Sequence, residues 1–216
     1  MNAHCLKMRR KKLKFRPSLA PCYITVAFVA TLLCYPSLFA AANDTTAHVE
    51  VVTLDQPQIE QLKRTSPLLQ KLISAASLSI GTPYKWGGSS LSQGIDCSNY
   101  TWQLFRKVGL PYKRYLGTQF MSRIHQNGSF QKIAFKEAQP GDLLVYGYKE
   151  KKQWHGHVVI LIDKDGQQTG KKGLTLGAHG GEVNAVQYVT YAGFESGYFK
   201  HPSMKLVNVL RIQSPP

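Results

Sequence analysis

The chain has 216 residues, of which 27 are Lys or Arg and 12 are Asp or Glu, for a formal net charge of +15. Seven basic residues and no acidic ones lie before residue 43, so the remaining 174 residues carry a net charge of +8. That length suffices for one domain with a proper core and is too short for two comfortable ones. The basic residues are scattered and form no periodic face, which argues against a helix that reads a nucleic-acid groove.

The first 42 residues have the order of a signal peptide. A basic stretch at 7–16 precedes an apolar run at 23–42, and the alanines at 40–42 are the small residues expected before a cleavage site. We therefore expect cleavage near Ala42 and a periplasmic or secreted protein, with transient envelope association. The alternative is an uncleaved anchor, because the apolar run approaches the roughly 17 to 25 residues that a membrane span requires.

Residues 43–65 are polar, and the sequence predicts a linker or N-terminal extension there, or a loosely attached strand and helix. The first firm helix is predicted to begin at Ser66, because serine is a good N-cap and Pro67 suits the first helical position. It opens a domain at 66–216. The residues predicted to face the core recur at helical spacing: Leu69, Leu72, Ile73, Ala76 and Ile80.

A glycine-rich turn at 84–94 precedes a second predicted helix, which opens with Asp96 and Cys97. Its apolar stripe is Thr101, Leu104, Phe105 and Val108. Glycine at 109 and proline at 111 supply stop signals. Because the amino end of a helix carries a positive dipole and unpaired amides, we expect the pKa of the Cys97 thiol to be lowered toward neutrality.

After residue 142 the hydrophobic pattern becomes that of strands. The predicted strands are 143–146, 157–162, 174–178, 183–190 and 205–212. Turns containing Asp165 and Gly166, and the glycines at 170–173, are predicted hairpin loops. Helices followed by an antiparallel meander predict an α+β fold.

One cysteine, Cys97, lies outside the predicted leader, which contains Cys5, Cys22 and Cys34. A structural cysteine in an exported protein normally has a disulfide partner, so an unpaired one is a candidate nucleophile. A thiolate needs a nearby base or cation to form and hold its charge. The sequence therefore predicts a cysteine hydrolase in which a histidine faces Cys97.

Histidines in the strand-rich half are the candidate bases. His157 begins the run HVVILID, and period-two alternation places it on one strand face with Val159 and Leu161. We expect it to reach a thiol presented by a helix packed on the sheet, with His179 holding its imidazole in the correct tautomer. His155 is the competing base.

Five sequence blocks in order, GTPYKWGG, GIDCSNY, PGDLLVY, HVVILID and AHGGEV, resemble the NlpC/P60 cysteine peptidases of the papain-like superfamily. The resemblance covers roughly residues 69–189. It implies a helix bearing the nucleophile against an antiparallel sheet bearing both histidines, with residues 66–216 as the catalytic domain. It also implies Cys97 as nucleophile, His157 as base and His179 as its orienting partner.

The resemblance implies further roles around the nucleophile. Tyr84 matches the tyrosine that helps to stabilise the oxyanion, together with the Cys97 backbone amide. Asp96 and Ser98 match positions that hold the substrate's amino end in relatives cutting free peptides. From the residues alone, Asp96 is simply an N-cap and Ser98 an exposed first-turn residue. Trp86 is a candidate for the cleft lining, with packing as its ordinary alternative; Trp154 has the same two interpretations.

Two features depart from the family pattern. The family commonly has DCSG before a small or aliphatic residue, whereas this chain has Asn99 and Tyr100, whose bulk is expected to narrow the cleft beside the thiol. The separation of His157 from His179 is longer than in many relatives. Asp163 is therefore a reserve polar partner, although forming a turn is its default role.

The activity implied by the resemblance is hydrolysis of peptidoglycan stem peptides, at the bond that joins D-glutamate through its side-chain carboxyl to a diamino acid. The expected partner is peptidoglycan or a muropeptide, with no nucleic acid, no cofactor, no metal and a monomeric protein. Three alternatives stay open: an amidase or acyltransferase on another envelope substrate, an inactive peptidoglycan-binding module, and a metal site. The metal site would use Cys97, His155, His157 and His179, whose spacings lack the short pairs of zinc motifs.

Overall fold

A computed structural model gives the structure of the protein and describes residues 48–114, 128–148 and 156–213. Its helices are α1 (Gln56–Thr65), α2 (Pro67–Ala76) and α3 (Cys97–Lys107). Its strands are β1 (Val49–Val51), β2 (Ser89–Ser90), β3 (Gly94–Ile95), β4 (Phe130–Ile133), β5 (Leu143–Gly147), β6 (Gly156–Asp165), β7 (Lys172–His179), β8 (Ala185–Tyr191), β9 (Gly197–Tyr198) and β10 (His201–Ile212).

Eight of these strands form one antiparallel sheet in the order β1-β8-β7-β6-β5-β10-β4, with β9 paired to β10. The hairpin of β2 and β3 is separate. The predicted α+β class is confirmed. The predicted meander holds from β5 to β8, whereas β10 crosses back to pair with β5, which extends the sheet on the side away from β8.

The predicted leader lies outside the described residues, as do Trp154 and His155. Within the ranges that the structure describes, no helix has the length and apolar character needed to span a membrane.

Residues 49–65 form β1 and α1, which is the strand-and-helix form of the segment predicted before Ser66. A capping box starts α1: Asp55 accepts a bond from the Gln58 backbone at 2.8 Å, and the Gln58 side chain accepts one from the Asp55 backbone at 3.0 Å. β1 pairs with β8, and Leu62 of α1 is completely buried. This segment therefore contributes to the same core as the rest of the domain.

Helix α2 begins where the sequence predicts it. The Ser66 hydroxyl accepts a bond from the Leu69 backbone at 3.1 Å, as an N-cap does. The helix ends at Ala76, and the expectation that Ile80 continues its core-facing stripe is wrong, because Ile80 is 37% exposed. The physical reason is local: the backbone and hydroxyl of Ser79 both donate to the Ala76 carbonyl, at 2.8 and 2.7 Å, and this bonding forms a tight turn after Ala76.

The two faces of the sheet bury different clusters. Alternation along β6 sends Val158, Ile160 and Ile162 toward the helices, and Val159 and Leu161 toward the other face. The helix-side cluster is mainly aliphatic and includes Leu62, Leu69, Leu72, Ile73, Leu104, Phe105, Leu174 and Leu176. The opposite cluster is rich in aromatic rings and includes Tyr146, Tyr191, Phe194 and Tyr198.

Candidate active site

Cys97 is the first residue of α3, and Asp96 caps that helix. Asp96 Oδ1 accepts bonds from the Asn99 backbone at 2.7 Å and from the Ser98 hydroxyl at 2.9 Å. Both bonds hold its carboxylate at the helix end, which agrees with the simple N-cap interpretation. The alternative interpretation of Ser98 as an exposed residue is wrong, because it is 4% exposed and its short side chain folds back onto Asp96.

The bulky pair after Ser98 packs into the domain. Asn99 Nδ2 donates to the Gly88 carbonyl at 2.9 Å, which ties α3 to the glycine-rich turn. The Tyr100 hydroxyl lies 3.2 Å from that of Ser79, inside the helical layer. Both residues are about 1% exposed. The expectation that they narrow the cleft is wrong, since residues on these faces of α3 contact the protein interior instead.

The glycine-rich turn brings Tyr84 beside the start of α3. Pro83 accepts a bond from the Ile95 backbone at 3.0 Å, so the chain on either side of the turn runs in contact. A Cβ on Gly88 would lie 2.5 Å from the Gly94 carbonyl oxygen, and Gly94 itself has φ of +118°. Side chains at these two positions would push the turn away from α3, so glycine is required there.

The Tyr84 phenol stays protonated. Burial raises its pKa well above the usual value, and negative charge on Cys97 and Asp96 raises it further. A backbone bridge pairs Tyr84 with Ile95, two residues before Cys97, so Tyr84 lies alongside the start of α3. A protonated phenol at this place can donate a hydrogen bond to charge developing next to the sulfur.

The two histidines lie on neighbouring strands. His157 is paired with Tyr146 across β5 and β6, and His179 is the last residue of β7. Their ring centroids are 5.3 Å apart. His157 also stacks on Tyr198, with centroids 4.0 Å apart and an angle of 29° between planes. His157 therefore belongs to the aromatic face of the sheet, with Val159 as the sequence pattern predicted.

These imidazoles contact each other ring to ring, without a hydrogen bond. His157 Nε2 and both nitrogens of His179 are buried and have no hydrogen-bond partner. Among the described residues no hydrogen bond joins either imidazole to Cys97, although the Val158 backbone donates toward the Cys97 sulfur. His157 is the sequence neighbour of Val158, so the resting structure brings the candidate base close to Cys97 without a hydrogen bond between the two side chains.

The pKa of the Cys97 thiol is raised to about 12, because the side chain is buried and Asp96 is negatively charged. The backbone N–H groups of Val158, Ser98 and Cys97 itself act in the opposite direction. The helix-end effect predicted from sequence therefore exists, but the predicted lowering is wrong. Removing a charged sulfur from water costs more than three amide donors return in this closed site.

Both imidazoles are neutral at physiological pH. Burial lowers the pKa of His179 to about 3. Burial also lowers the pKa of His157 well below its ordinary value, with smaller electrostatic effects from His179, Lys200 and His201 in the same direction. A neutral imidazole has a free nitrogen lone pair, so His157 can accept a proton from a thiol.

A cavity of about 390 Å³ opens in front of His157. Its wall is formed by Tyr84, Trp86, Tyr148, Gly156, His157, Gly180, Tyr198, Lys200, His201 and Met204. Trp86, the predicted cleft-lining residue, is 62% exposed at this cavity. Tyr84 and His157 share the cavity, which brings a donor and a base to one ligand-accessible space.

The sequence interpretation missed Tyr198 and Lys200. They belong to β9 and the link to β10, where a two-residue strand gives no usable periodicity. Tyr198 contacts the base directly, and negative charge on Cys97 contributes to raising its pKa. The only available signal was the aromatic density of the sequence GYFK, which does not by itself indicate a site.

The reserve polar partner Asp163 lies apart from His157 and His179, and one residue of the alternative metal site lies outside the described ranges. Asp163 accepts bonds at 2.9 Å from the backbones of Gln168 and Thr169 and from the Thr169 hydroxyl, so it closes the turn between β6 and β7. Within residues 48–114, 128–148 and 156–213, no group of three or more potential ligands is arranged to hold a metal ion. His155, part of the alternative metal site, lies outside these ranges.

Residues 81–203 match the NlpC/P60 family, which is more than half of the chain. The chain belongs to the NlpC/P60 family. The match includes both histidines, Cys97 and Tyr84, and extends past the sequence blocks to Lys200. The resemblance inferred from those blocks is confirmed.

Relatives of this NlpC/P60 chain include two enzymes of Bacillus subtilis (strain 168). The bifunctional muramidase/DL-endopeptidase CwlT is 30% identical over 104 residues, covering 48% of this chain and 30% of CwlT. The gamma-D-glutamyl-L-lysine dipeptidyl-peptidase is 28% identical over 108 residues, covering 50% of this chain and 33% of the relative. The matched region thus spans about a third of these curated relatives.

A crystal structure from Staphylococcus aureus Mu50, of a protein of the NLP/P60 family described as similar to a lipoprotein, overlaps with a TM-score of 0.49 at 20% identity. The overlap covers 77% of this chain and 45% of that chain.

Proposed function

We propose that the protein is a cysteine endopeptidase that hydrolyses peptidoglycan stem peptides at the bond between the side-chain carboxyl of D-glutamate and a diamino acid. The observation that carries the proposal is the grouping of Tyr84 and His157 at one cavity, next to Cys97, in a chain of the NlpC/P60 family. Relatives named as a DL-endopeptidase and a gamma-D-glutamyl-L-lysine dipeptidyl-peptidase support the choice of bond. Such a substrate lies in the cell envelope, where a basic protein meets anionic polymers.

The first step forms a tetrahedral adduct, which becomes the thioester when the amine departs in the second step. The Cys97 sulfur attacks the scissile carbonyl carbon while its proton passes to neutral His157, so no buried thiolate has to persist before the substrate arrives. The carbonyl oxygen becomes an oxyanion, to which the Tyr84 phenol and the Cys97 backbone N–H donate. Since no bond joins Cys97 to His157 at rest, substrate entry must draw the two side chains together.

The second step releases the amine and regenerates the thiol. His157 gives its proton to the departing diamino acid nitrogen as the carbon–nitrogen bond breaks. Water then attacks the thioester with His157 taking its proton, and the sulfur leaves as a thiol with a free glutamyl carboxylate. His179 and Tyr198 hold the His157 ring between them throughout.

Mass spectrometry of defined muropeptides tests this proposal. Wild type should release the diamino acid portion, and Cys97→Ala should release none. Cys97→Ser, which keeps a hydroxyl of similar size, separates loss of the nucleophile from loss of packing and should also be inactive. Cleavage at the sugar–peptide junction would replace the endopeptidase with an amidase, and identical products from wild type and Cys97→Ala would remove the catalytic proposal.

A binding module without turnover is the second candidate. It is favoured by the 5% exposure of Cys97 and by the raised thiol pKa, which together describe an unreactive sulfur. If the protein is such a module, wild type and Cys97→Ala should bind stem peptides with equal affinity, and neither protein should release product over a long incubation. Formation of an acyl-enzyme, seen as added mass on wild type alone, would exclude it.

A further inference from the structure

Lys200 extends along the cavity wall over two glycines. A Cβ on Gly181 would lie 3.1 Å from Lys200 Cδ, and one on Gly180 would lie 3.0 Å from Lys200 Nζ. The stem of the lysine therefore rests on bare backbone directly after His179. A larger residue at either position would displace the ammonium group from the cavity.

The ammonium group lies beside the oxyanion donor. A Cβ on Gly180, which would lie 3.0 Å from Lys200 Nζ, would also lie 3.1 Å from Tyr84 Cε1, so both side chains flank Gly180. Lys200 is also one of the charges that act on His157. Tyr84, His157 and Lys200 line the same cavity, so this cation lies near both the donor and the base.

No carboxylate neutralises this cation in the described part of the chain. The ion pairs of residues 48–114, 128–148 and 156–213 involve Lys63, Lys164, Lys171 and Arg211, and none involves Lys200. The described residues that line the cavity include no Asp or Glu. A cavity whose described lining carries the Lys200 cation and no acidic residue favours an anionic ligand group.

We propose that Lys200 determines specificity by pairing with the free α-carboxylate of the glutamyl residue whose side-chain carboxyl forms the scissile bond. This inference rests on the proposed function. A linkage through the side-chain carboxyl leaves the α-carboxylate on the same residue as the attacked carbonyl, a few bonds from the oxyanion. Stems in which this carboxylate is amidated present a neutral group to Lys200 and lose a charge-assisted hydrogen bond.

Paired substrates test the assignment. Two stem peptides that differ only in glutamate against isoglutamine at this position are compared by kcat/KM. Wild type should favour the carboxylate by roughly 10- to 100-fold, the range of a hydrogen bond to a charged group. Lys200→Met should bring this ratio close to one, and Lys200→Arg should retain most of it.

The matched control is Lys132→Met, an exposed lysine on the edge strand β4, which should leave the ratio unchanged. Melting temperatures of the three variants verify that they fold. A Lys200→Met variant that slows both peptides equally would overturn the assignment, as would a wild type that does not discriminate between them.

Binding separates this inference from the proposed function. If wild type cleaves neither peptide, the endopeptidase proposal fails, and the affinities of the two peptides for Cys97→Ala are then measured by calorimetry. Tighter binding of the carboxylate peptide, abolished in Cys97→Ala with Lys200→Met, would still support the carboxylate site. Equal affinities, or no binding of either peptide, would overturn it.

Discussion

The two faces of the large sheet are built from different chemistry. The helix-side face buries aliphatic residues such as Leu72, Leu104 and Ile160 to completion or nearly so. Buried hydroxyls in that layer are paired, as Tyr112 is with Thr101 at 3.1 Å. On this side Asn99 Oδ1 is the buried side-chain atom without a partner among the described residues, so the layer is close-packed and nearly satisfied in its hydrogen bonds, as a stabilising core requires.

The aromatic face leaves polar atoms without partners. His157 Nε2, both nitrogens of His179 and the Tyr198 hydroxyl are buried and unpaired among the described residues. A buried polar group without a partner costs about 1–3 kcal/mol. This cost is concentrated around the candidate base, whereas Cys97 and Tyr84 belong to the helix-side cluster. The comparison indicates that the aromatic face gives up hydrogen bonding where the helix-side face keeps it.

Removal of the base should produce the largest effect. His157→Gln keeps a polar side chain of similar reach but cannot transfer a proton, so we expect kcat/KM for a stem peptide to fall roughly 1,000-fold. The melting temperature should change little, because the imidazole nitrogens contribute no hydrogen bond to the fold. A loss below tenfold would contradict the assignment of His157 as the base and the contrast drawn between the two faces of the sheet.

Truncating a side chain of the helix-side cluster should lower stability and leave activity nearly unchanged. Leu72→Ala removes a completely buried side chain and should lower the free energy of unfolding by about 3 kcal/mol, measured by urea denaturation. The kcat of the remaining folded protein should stay within about twofold of wild type. Ile80→Ala, at a half-exposed position just beyond α2, is the matched control and should cost under about 1 kcal/mol.

Acid should destabilise the aromatic face selectively. The folded-state pKa of His179 is about 3 and that of His157 is also lowered, whereas an unfolded histidine titrates near 6.5. The unfolded state therefore binds protons first, and stability is complete above pH 6.5 and falls as the pH decreases toward 3. His179 should contribute about 1.4 kcal/mol per pH unit in that window, and His157 should add to the slope in the same direction.

His179→Gln should reduce this slope, whereas His48→Gln, at an exposed position, should leave it unchanged. Urea denaturation at several pH values measures both. A His179→Gln slope equal to that of wild type would mean that His179 does not titrate in this window.

Loss of the contact between Tyr198 and His157 should have the smallest effect on activity. Tyr198→Leu removes the stacked ring and should lower kcat about tenfold with little change in KM, because Tyr198 positions the base without contacting the reacting bond. Tyr198→Phe keeps the ring and loses only an unpaired hydroxyl, so it should retain wild-type kcat. Equal losses in both variants would assign the effect to the hydroxyl and not to stacking.

Local signals predicted the helix starts and the central strands well. Ser66 and Asp96 are N-caps because a short polar side chain before an apolar stripe satisfies the first amides of a helix. Period-two alternation located β5 to β8 within a few residues. The sequence did not predict the two-residue strand β9 or the edge strand β4, because such short elements are stabilised by their partners and carry little pattern of their own.

The sequence predicted neither the electrostatic state of the candidate site nor the packing around it. The roles of Cys97, His157 and Tyr84 stay predictions from motif positions. The direction of the Cys97 pKa shift was wrong, since a helix end is visible in sequence whereas the depth of burial is not. The close packing of Asn99 and Tyr100 was missed for the same reason.

By itself the amino-acid sequence determined the family and the α+β class, because cap residues, periodicity and spaced motifs are local properties of the chain. Only the tertiary structure decided which face of β6 receives His157, that Tyr198 stacks on it, and that Lys200 reaches the same cavity. These facts depend on strand order and on the return of β10 beside β5, which bring together residues distant in sequence. Burial and electrostatics are set by such non-local neighbours, so the charge state of the site could not be predicted from sequence alone.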